Sequence, residues 1–333
     1  MSLRSSDRAL SEVYDLGMLD LDGVVYIGAD AVPGAVDALT AARKAGMRLA
    51  FLTNNASRTA GEVAAHLREL GIDADDADVV TAAQAVAHLV ADAVPAGSAV
   101  LLVGGEGLQI PLEDRGLRCV DSLDDEPAAV VQGFHPDLGW KALAEASYAI
   151  ASGLPWFASN TDLTIPTARG VAPGNGALVQ AVHEATGATP TVAGKPEPAI
   201  FTETLERMPA DRPIMVGDRL DTDIDGAINA GIDSLAVLTG ITTVQDVARL
   251  APDRRPTFVA ADLSALVEAH PEVTVDDTSA TCGPATATVD DDVVRLSQGE
   301  PGSLEAIRAV TTLAWSMRDR SGNDVRVDGT LES

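Results

Sequence analysis

The chain has 333 residues, long enough for two domains, since single cores stop growing near about 250 to 300 residues. Its 23 Lys plus Arg against 50 Asp plus Glu leave a formal charge of −27, which argues against nucleic acid and an anionic membrane surface as partners. Two cysteines, Cys119 and Cys282, do not make a disulfide framework or a zinc site, and no apolar stretch approaches the roughly 18 residues of a membrane span. With no apolar run behind a basic start either, the expectation is a soluble cytoplasmic protein.

Short apolar runs ending in Asp, Asn, Thr or Gly alternate with longer Ala-rich amphipathic segments, the pattern of βα units around a parallel sheet, so the fold class is α/β. The pattern predicts a buried strand over 14–21, a helix over 33–45 followed by Gly46, a strand over 48–53 and a helix over 58–70 stopped by Gly71. It restarts over 82–189, with strands at 99–103 and 128–132 and helices at 139–151 and 176–186, the size of a separate inserted domain. A strand over 213–216 then runs into Gly217-Asp218, a helix follows over 222–230, and a strand over 234–238. The division is a core of 1–81 and 190–270, an insertion of 82–189, and 271–333 as a Thr/Asp/Ala-rich linker with a small C-terminal appendage. In that last stretch a helix is expected over 304–317, with order and disorder equally open for the rest.

Four segments carry chemistry. Asp20 and Asp22, in Asp20-Leu21-Asp22-Gly23-Val24, share one side of a strand end, where α/β folds bind ligands; a plain turn is the alternative, and a calcium loop fails on the apolar Val24-Val25-Tyr26. Thr53-Asn54-Asn55-Ala56-Ser57-Arg58 passes from a strand into a helix start, a fitting for a phosphate oxygen or an ordinary N-cap by Ser57 or Asn55. Lys195, one of only three lysines, sits between Gly194 and Pro196, either solvated or neutralising a phosphoryl group. Around the strand end at Gly217 the acids are Asp218, Asp221, Asp223 and Asp225; Asp218 is the best metal ligand, Asp223 a supporting acid that orients Lys195 or metal-bound water, and the others complement the helix dipole. Val103-Gly104-Gly105-Glu106-Gly107 lacks the third glycine of a dinucleotide fingerprint, and His135 before Pro136 reads as a surface loop residue.

In this order the four segments resemble the motif set of haloacid dehalogenase (HAD) superfamily phosphatases. DLDGV, LTNNASR and GDRLDTDI, with the third motif delayed to Gly194, are similar to the p-nitrophenyl phosphatase-like subgroup, whose large α/β cap is inserted after the second motif. That subgroup includes pyridoxal phosphate, phosphoglycolate and glycerol 3-phosphate phosphatases. The resemblance spans about residues 13–270 and implies a Rossmann-like parallel-sheet core, a large inserted α/β cap and a small C-terminal appendage outside it. It implies Asp20 as nucleophile, Asp22 as general acid and base, and Mg²⁺ held by Asp20, the Asp22 backbone carbonyl and Asp218, with Asp223 behind them. Thr53, Asn54, Asn55 and Lys195 would bind the phosphoryl oxygens. Arg58, Asn160, Asp162 and Asn175 are the candidate substrate contacts, the last three from Ser159–Pro166 and Pro173–Gly176 in the cap.

The expected ligand is a small phosphorylated metabolite, glycerol 3-phosphate or phosphoglycolate, and the 3% aromatic content offers little to stack a nucleobase or pyridine ring. The alternatives are another sugar phosphate, pyridoxal phosphate, a nucleotide, or a non-catalytic phosphometabolite-binding regulatory role. A homodimer is left open.

Overall fold

The computed structural model describes residues 3–167, 169–290 and 292–328; the end of the expected appendage, 329–333, lies outside the described residues. The chain divides into two compact units, Met1–Ala50 with Ala210–Ser333, and Phe51–Pro209. Among the described residues no helix is long and apolar enough to cross a membrane.

In the first unit the parallel strands lie in the order Phe258–Ala260, Asp233–Val237, Pro213–Gly217, Leu16–Asp20. Each is a near-continuous apolar run because both faces are covered, and Leu16, Met18, Leu19, Ile214, Met215 and Val216 are fully buried. Leu19 pairs with Val216, so the two central strands end level with one another and deliver Asp20 and Asp218 to the same edge. The strand Arg48–Thr53 matches its expected span; it starts in this unit, where Arg48 N–H donates to Asp15 O at 3.1 Å, and ends in the other. The helix predicted over 222–230 differs at its start. Leu220–Ile224 forms a widened π turn, with Asp223 and Ile224 N–H both donating to Arg219 O, before the α-helix Asp225–Ala230.

Where composition reads as a linker, the first unit has an antiparallel meander, Thr274–Val275, Ser279–Cys282, Ala285–Asp290 and Val293–Gln298, with Arg326–Val327 added parallel to the last strand. The physical reason is period-2 burial of small side chains: Ala280, Cys282, Ala285, Ala287 and Val294 point into a core shared with Ala306, Val310 and Leu313 of the helix Leu304–Ser321. That helix runs past the expected 317, capped by Ser303 at its start and by Gly322 in the left-handed region at its end. Its other side is core too: Ile307 and Trp315 pack with Ile224, Ala236, Val247 and Val259. Trp315 Nε1–H donates to Val247 O at 2.8 Å, and Arg255 stacks 4.7 Å from the Trp315 ring centre while gripping Asp319 through two bonds.

In the second unit Phe51–Thr53 pairs in parallel with Val79–Thr81. A separate five-stranded parallel sheet has the order Thr191–Val192, Trp156–Ala158, Val130–Gln132, Ala99–Val103, Arg118–Val120. Helices Trp140–Ala151 and Asn175–Thr186 cover one face of it, burying Val130, Trp156, Ala158, Ala149 and Val182. An antiparallel hairpin, Thr164–Thr167 with Gly170–Pro173, interrupts the βα pattern ahead of Asn175. The helices Ala60–Glu69 and Ala82–Ala93 each begin with a reciprocal capping box, Thr59 with Glu62 and Thr81 with Gln84. Thr59 therefore replaces Ser57 and Asn55 as the cap; Asn55 Oδ1 instead accepts from Ser57 N–H and Oγ, closing the preceding loop.

Candidate active site

In the first unit, carboxylate oxygens of Asp20, Asp218 and Asp223 all lie within 4.8 Å of one another; Asp218 and Asp223 are buried and Asp20 is half-buried. Asp20 closes the strand Leu16–Asp20, and Asp218 follows the neighbouring strand by one residue. The widened turn carries Asp223 back to them, and Arg219 N–H donates to its Oδ2 at 3.1 Å. Close backbone approach makes room for the acids. A Cβ on Gly217 would sit 2.2 Å from Asp223 Cβ, and one on Gly240 would sit 1.9 Å from Asp218 Oδ2. Ile241 N–H donates to that same Asp218 oxygen at 2.9 Å. Gly23 turns the chain at φ +88°, with Gly23 N–H donating to Tyr26 O and Thr239 Oγ1 donating to Gly23 O. Asp22 lies at the start of this turn and is exposed. Three carboxylates this close repel one another when ionised, and an all-oxygen set of hard donors suits a small divalent cation such as Mg²⁺. The remaining acids of the run are engaged elsewhere. Asp221 pairs with Arg219, which holds its carboxyl below the usual carboxylate range, and Asp225 pairs with Arg254.

In the second unit, Thr53 ends its strand buried, and its Oγ1 accepts from Asn55 N–H at 3.1 Å. Asn54 spends its side chain on Lys195: Oδ1 accepts Lys195 N–H at 2.8 Å, and Nδ2 donates to Lys195 O at 2.9 Å and to the Asp162 carboxylate at 3.2 Å. Lys195 is buried, and the peptide bond to Pro196 is cis. Asn160 Nδ2–H donates to Asn54 O, and Asn175 Nδ2–H to Asn160 O, both at 2.7 Å. The sequence-predicted residues Asn54, Lys195, Asn160, Asp162 and Asn175 thus form one hydrogen-bonded group, beside which Asn55 and Arg58 are exposed.

The glycine run 104–107 has a packing role in the same region. A Cβ on Gly107 would sit 2.6 Å from Ala56 O and 2.9 Å from Arg58 N, so the run lets the helix Glu106–Asp114 press on the loop that follows Thr53. His135 packs beside it: a Cβ on Gly105 would meet its ring at 2.2 Å. His88, Glu203 and Glu206 also cluster, but Arg115 and Arg207 both bond the buried Glu203, a charge-balanced network. Burial pushes the Glu203 carboxyl up, and His88 with the two arginines brings it net below its ordinary range.

Gly194 entered the sequence reading only as the neighbour of Lys195, and Gly240 was not singled out at all. Their signal is a lone glycine just after a strand, at Leu238-Thr239-Gly240 and Val192-Ala193-Gly194.

Comparison with known proteins agrees with this architecture. The signature of the haloacid dehalogenase-like hydrolases matches residues 17–118, and a second HAD-hydrolase-like signature matches 192–266. The chain is 44% identical over 319 residues to a D-glycerol 3-phosphate phosphatase of Mycobacterium tuberculosis, covering 93% of this chain and 88% of the relative. A crystal structure of a glycerol phosphate phosphatase from the same organism in complex with magnesium superposes with a TM-score of 0.84 at 42% identity, over 96% of this chain and 94% of that one. A 4-nitrophenylphosphatase from Thermotoga maritima superposes with a TM-score of 0.71 at 32% identity, over 78% of this chain and 98% of that one. On the identity and coverage of these relatives, and on the two signatures it matches, the chain belongs to the haloacid dehalogenase-like hydrolase family.

Proposed function

We propose that the protein is a Mg²⁺-dependent phosphatase of small phosphate monoesters, with glycerol 3-phosphate as its substrate. The observation that carries the reading is the carboxylate cluster of Asp20 and Asp218, at the ends of adjacent parallel strands, with Asp223 from the turn that follows. The choice of substrate rests on the relative that acts on D-glycerol 3-phosphate and aligns with nearly the whole chain.

Asp20 attacks phosphorus in line with the departing alkoxide, forming an aspartyl-phosphate as the P–O(ester) bond breaks. Asp22 gives its proton to the leaving oxygen, an alkoxide otherwise too basic to depart. It then takes a proton from the water that attacks the intermediate at phosphorus, which frees Asp20 and releases phosphate. Asp20, the Asp22 backbone carbonyl and Asp218 would hold Mg²⁺, with Asp223 supporting them, and the bound cation offsets the repulsion between carboxylate and phosphate. Thr53, the backbone N–H of Asn54, Asn55 and Lys195 take the phosphoryl oxygens, the Asn54 side chain being engaged by Lys195, which is how a chain of charge −27 accepts an anion. In this reading residues 82–189 are the substrate-selecting cap, 1–81 with 190–270 the catalytic core, and Arg58 and Asp162 face the alcohol portion. The location we assign is the cytoplasm.

Phosphate release from glycerol 3-phosphate, phosphoglycolate, p-nitrophenyl phosphate, pyridoxal phosphate and a nucleotide, with Mg²⁺ and with EDTA, tests the proposal. It predicts Mg²⁺-dependent release with the highest kcat/KM for glycerol 3-phosphate. Equal rates in EDTA, or no release from any ester, would refute it.

A further inference from the structure

We infer that Asn160 and Asn175 are positioning residues for Lys195, acting through Asn54, and are not contacts to the substrate; the inference rests on the phosphatase reading above. Both asparagines are at least nine-tenths buried, at 4% and 1% exposure, so neither presents a surface to a ligand. Their side-chain N–H groups are committed to the chain. Asn175, the first residue of its helix, holds the carbonyl of Asn160; Asn160 holds the carbonyl of Asn54 and accepts Asp162 N–H at 3.1 Å; Asn54 clamps the Lys195 peptide through both its acceptor and its donor. Gly194 N–H donates to Ser159 O at 2.7 Å, so the backbone on either side of the clamp is tied to the same segment.

The chemistry explains the residue type. At Asn54 and Asn160 a planar amide donates and accepts through two separate atoms, whereas a carboxylate cannot donate and a hydroxyl must do both through one oxygen. The geometry leaves little slack. A Cβ on Gly176 would sit 2.1 Å from Thr161 O, one on Gly174 2.3 Å from Asp162 O, and one on Gly194 2.6 Å from both Asn54 Oδ1 and Ser159 O. Lys195 therefore inherits its position from a relay that starts at the helix Asn175–Thr186, and a misplacement of about 1 Å at a charge-stabilising group costs on the order of 100-fold in rate.

The test is Asn160→Asp, which keeps shape and loses the donor, alongside Asn160→Ala and Asn175→Ala. Kinetics on glycerol 3-phosphate, phosphoglycolate and p-nitrophenyl phosphate are run in wild-type and Lys195→Ala backgrounds, with circular dichroism as the folding control. We expect kcat to fall about 10- to 100-fold by the same factor for every ester with KM little changed, and no further loss on top of Lys195→Ala. A loss that varies with the ester, or that adds in full to Lys195→Ala, overturns the inference. Should Asn175→Ala not fold, Asn160→Asp decides alone. Because only three lysines are present, protein carrying lysine labelled with ¹³C at Cε provides a readout free of catalysis. The Lys195 signal should move in Asn160→Asp while those of Lys44 and Lys141 stay, and an unmoved Lys195 signal contradicts the relay. A wild type inert toward all esters would sink the phosphatase reading instead, leaving the spectroscopic arm to decide on the relay itself.

Discussion

Replacing Asp218 by Asn in metal-free protein should stabilise the fold, although Asp218 is buried. Its carboxylate lies within 4.8 Å of both Asp20 and Asp223. Two unit charges at that separation repel by about 3.5 kcal/mol at an effective dielectric of about 20. Asp218 takes part in two of the three pairs, but Asp20 is half-exposed and solvent screens it, and the further interactions each acid makes offset part of the repulsion, which brings the expected net gain to about 1 kcal/mol. The amide oxygen of Asn can still accept the Ile241 N–H that now bonds Asp218 Oδ2, so no backbone donor is stranded. Cation binding reverses the order: Mg²⁺ at about 100 times its Kd stabilises a binding-competent fold by about 2.7 kcal/mol, and the variant should gain far less. The assay is thermal unfolding in EDTA and in excess MgCl₂, where each kcal/mol moves the midpoint by roughly 2 °C in a chain of this size. The reasoning is refuted by a variant that melts below wild type in EDTA and gains as much from Mg²⁺.

Trp315→Ala should cost about 3 to 5 kcal/mol, because a buried indole and its hydrogen bond to Val247 O both go; a loss under about 1 kcal/mol in denaturant unfolding would show that the C-terminal helix is not part of the first unit's core. His270 is held near a pKa of about 4 by burial, with Arg308 adding to the effect against the bond to Ala265 O, from an ordinary 6.5. Its folded value is depressed, so its contribution is complete above about pH 6.5 and is lost as pH falls toward 4, about 3 kcal/mol in full. His270→Gln should flatten stability against pH over that window, and an unchanged slope would assign the acid sensitivity to other groups.

The parallel strands around Asp20 and Asp218 were legible because each is an apolar run ending in an acid, and Arg48–Thr53 and Ala99–Val103 have the expected bounds. The C-terminal meander was not. Its buried positions are Ala280, Ala285 and Ala287 alternating with threonines, so the period of two is present but the apolar contrast is weak, and composition reads it as low-complexity chain. Tertiary contact, which no single stretch encodes, made the rest illegible. Asn160 and Asn175 look like ligand contacts in a polar loop, and only the fold brings them onto the carbonyls of Asn54 and Asn160. Gly240 likewise matters through the one atom it leaves out beside Asp218.

The central claim is that Asp20 is the nucleophile of a Mg²⁺-dependent phosphatase. It is tested most directly by phosphate release from glycerol 3-phosphate at saturating Mg²⁺, wild type against Asp20→Asn, with circular dichroism to establish that both are folded. The account predicts steady turnover by the wild type and a loss of at least about 1,000-fold in the variant, equivalent to about 4 kcal/mol of transition-state stabilisation. A folded Asp20→Asn protein that releases phosphate at the wild-type rate would contradict it.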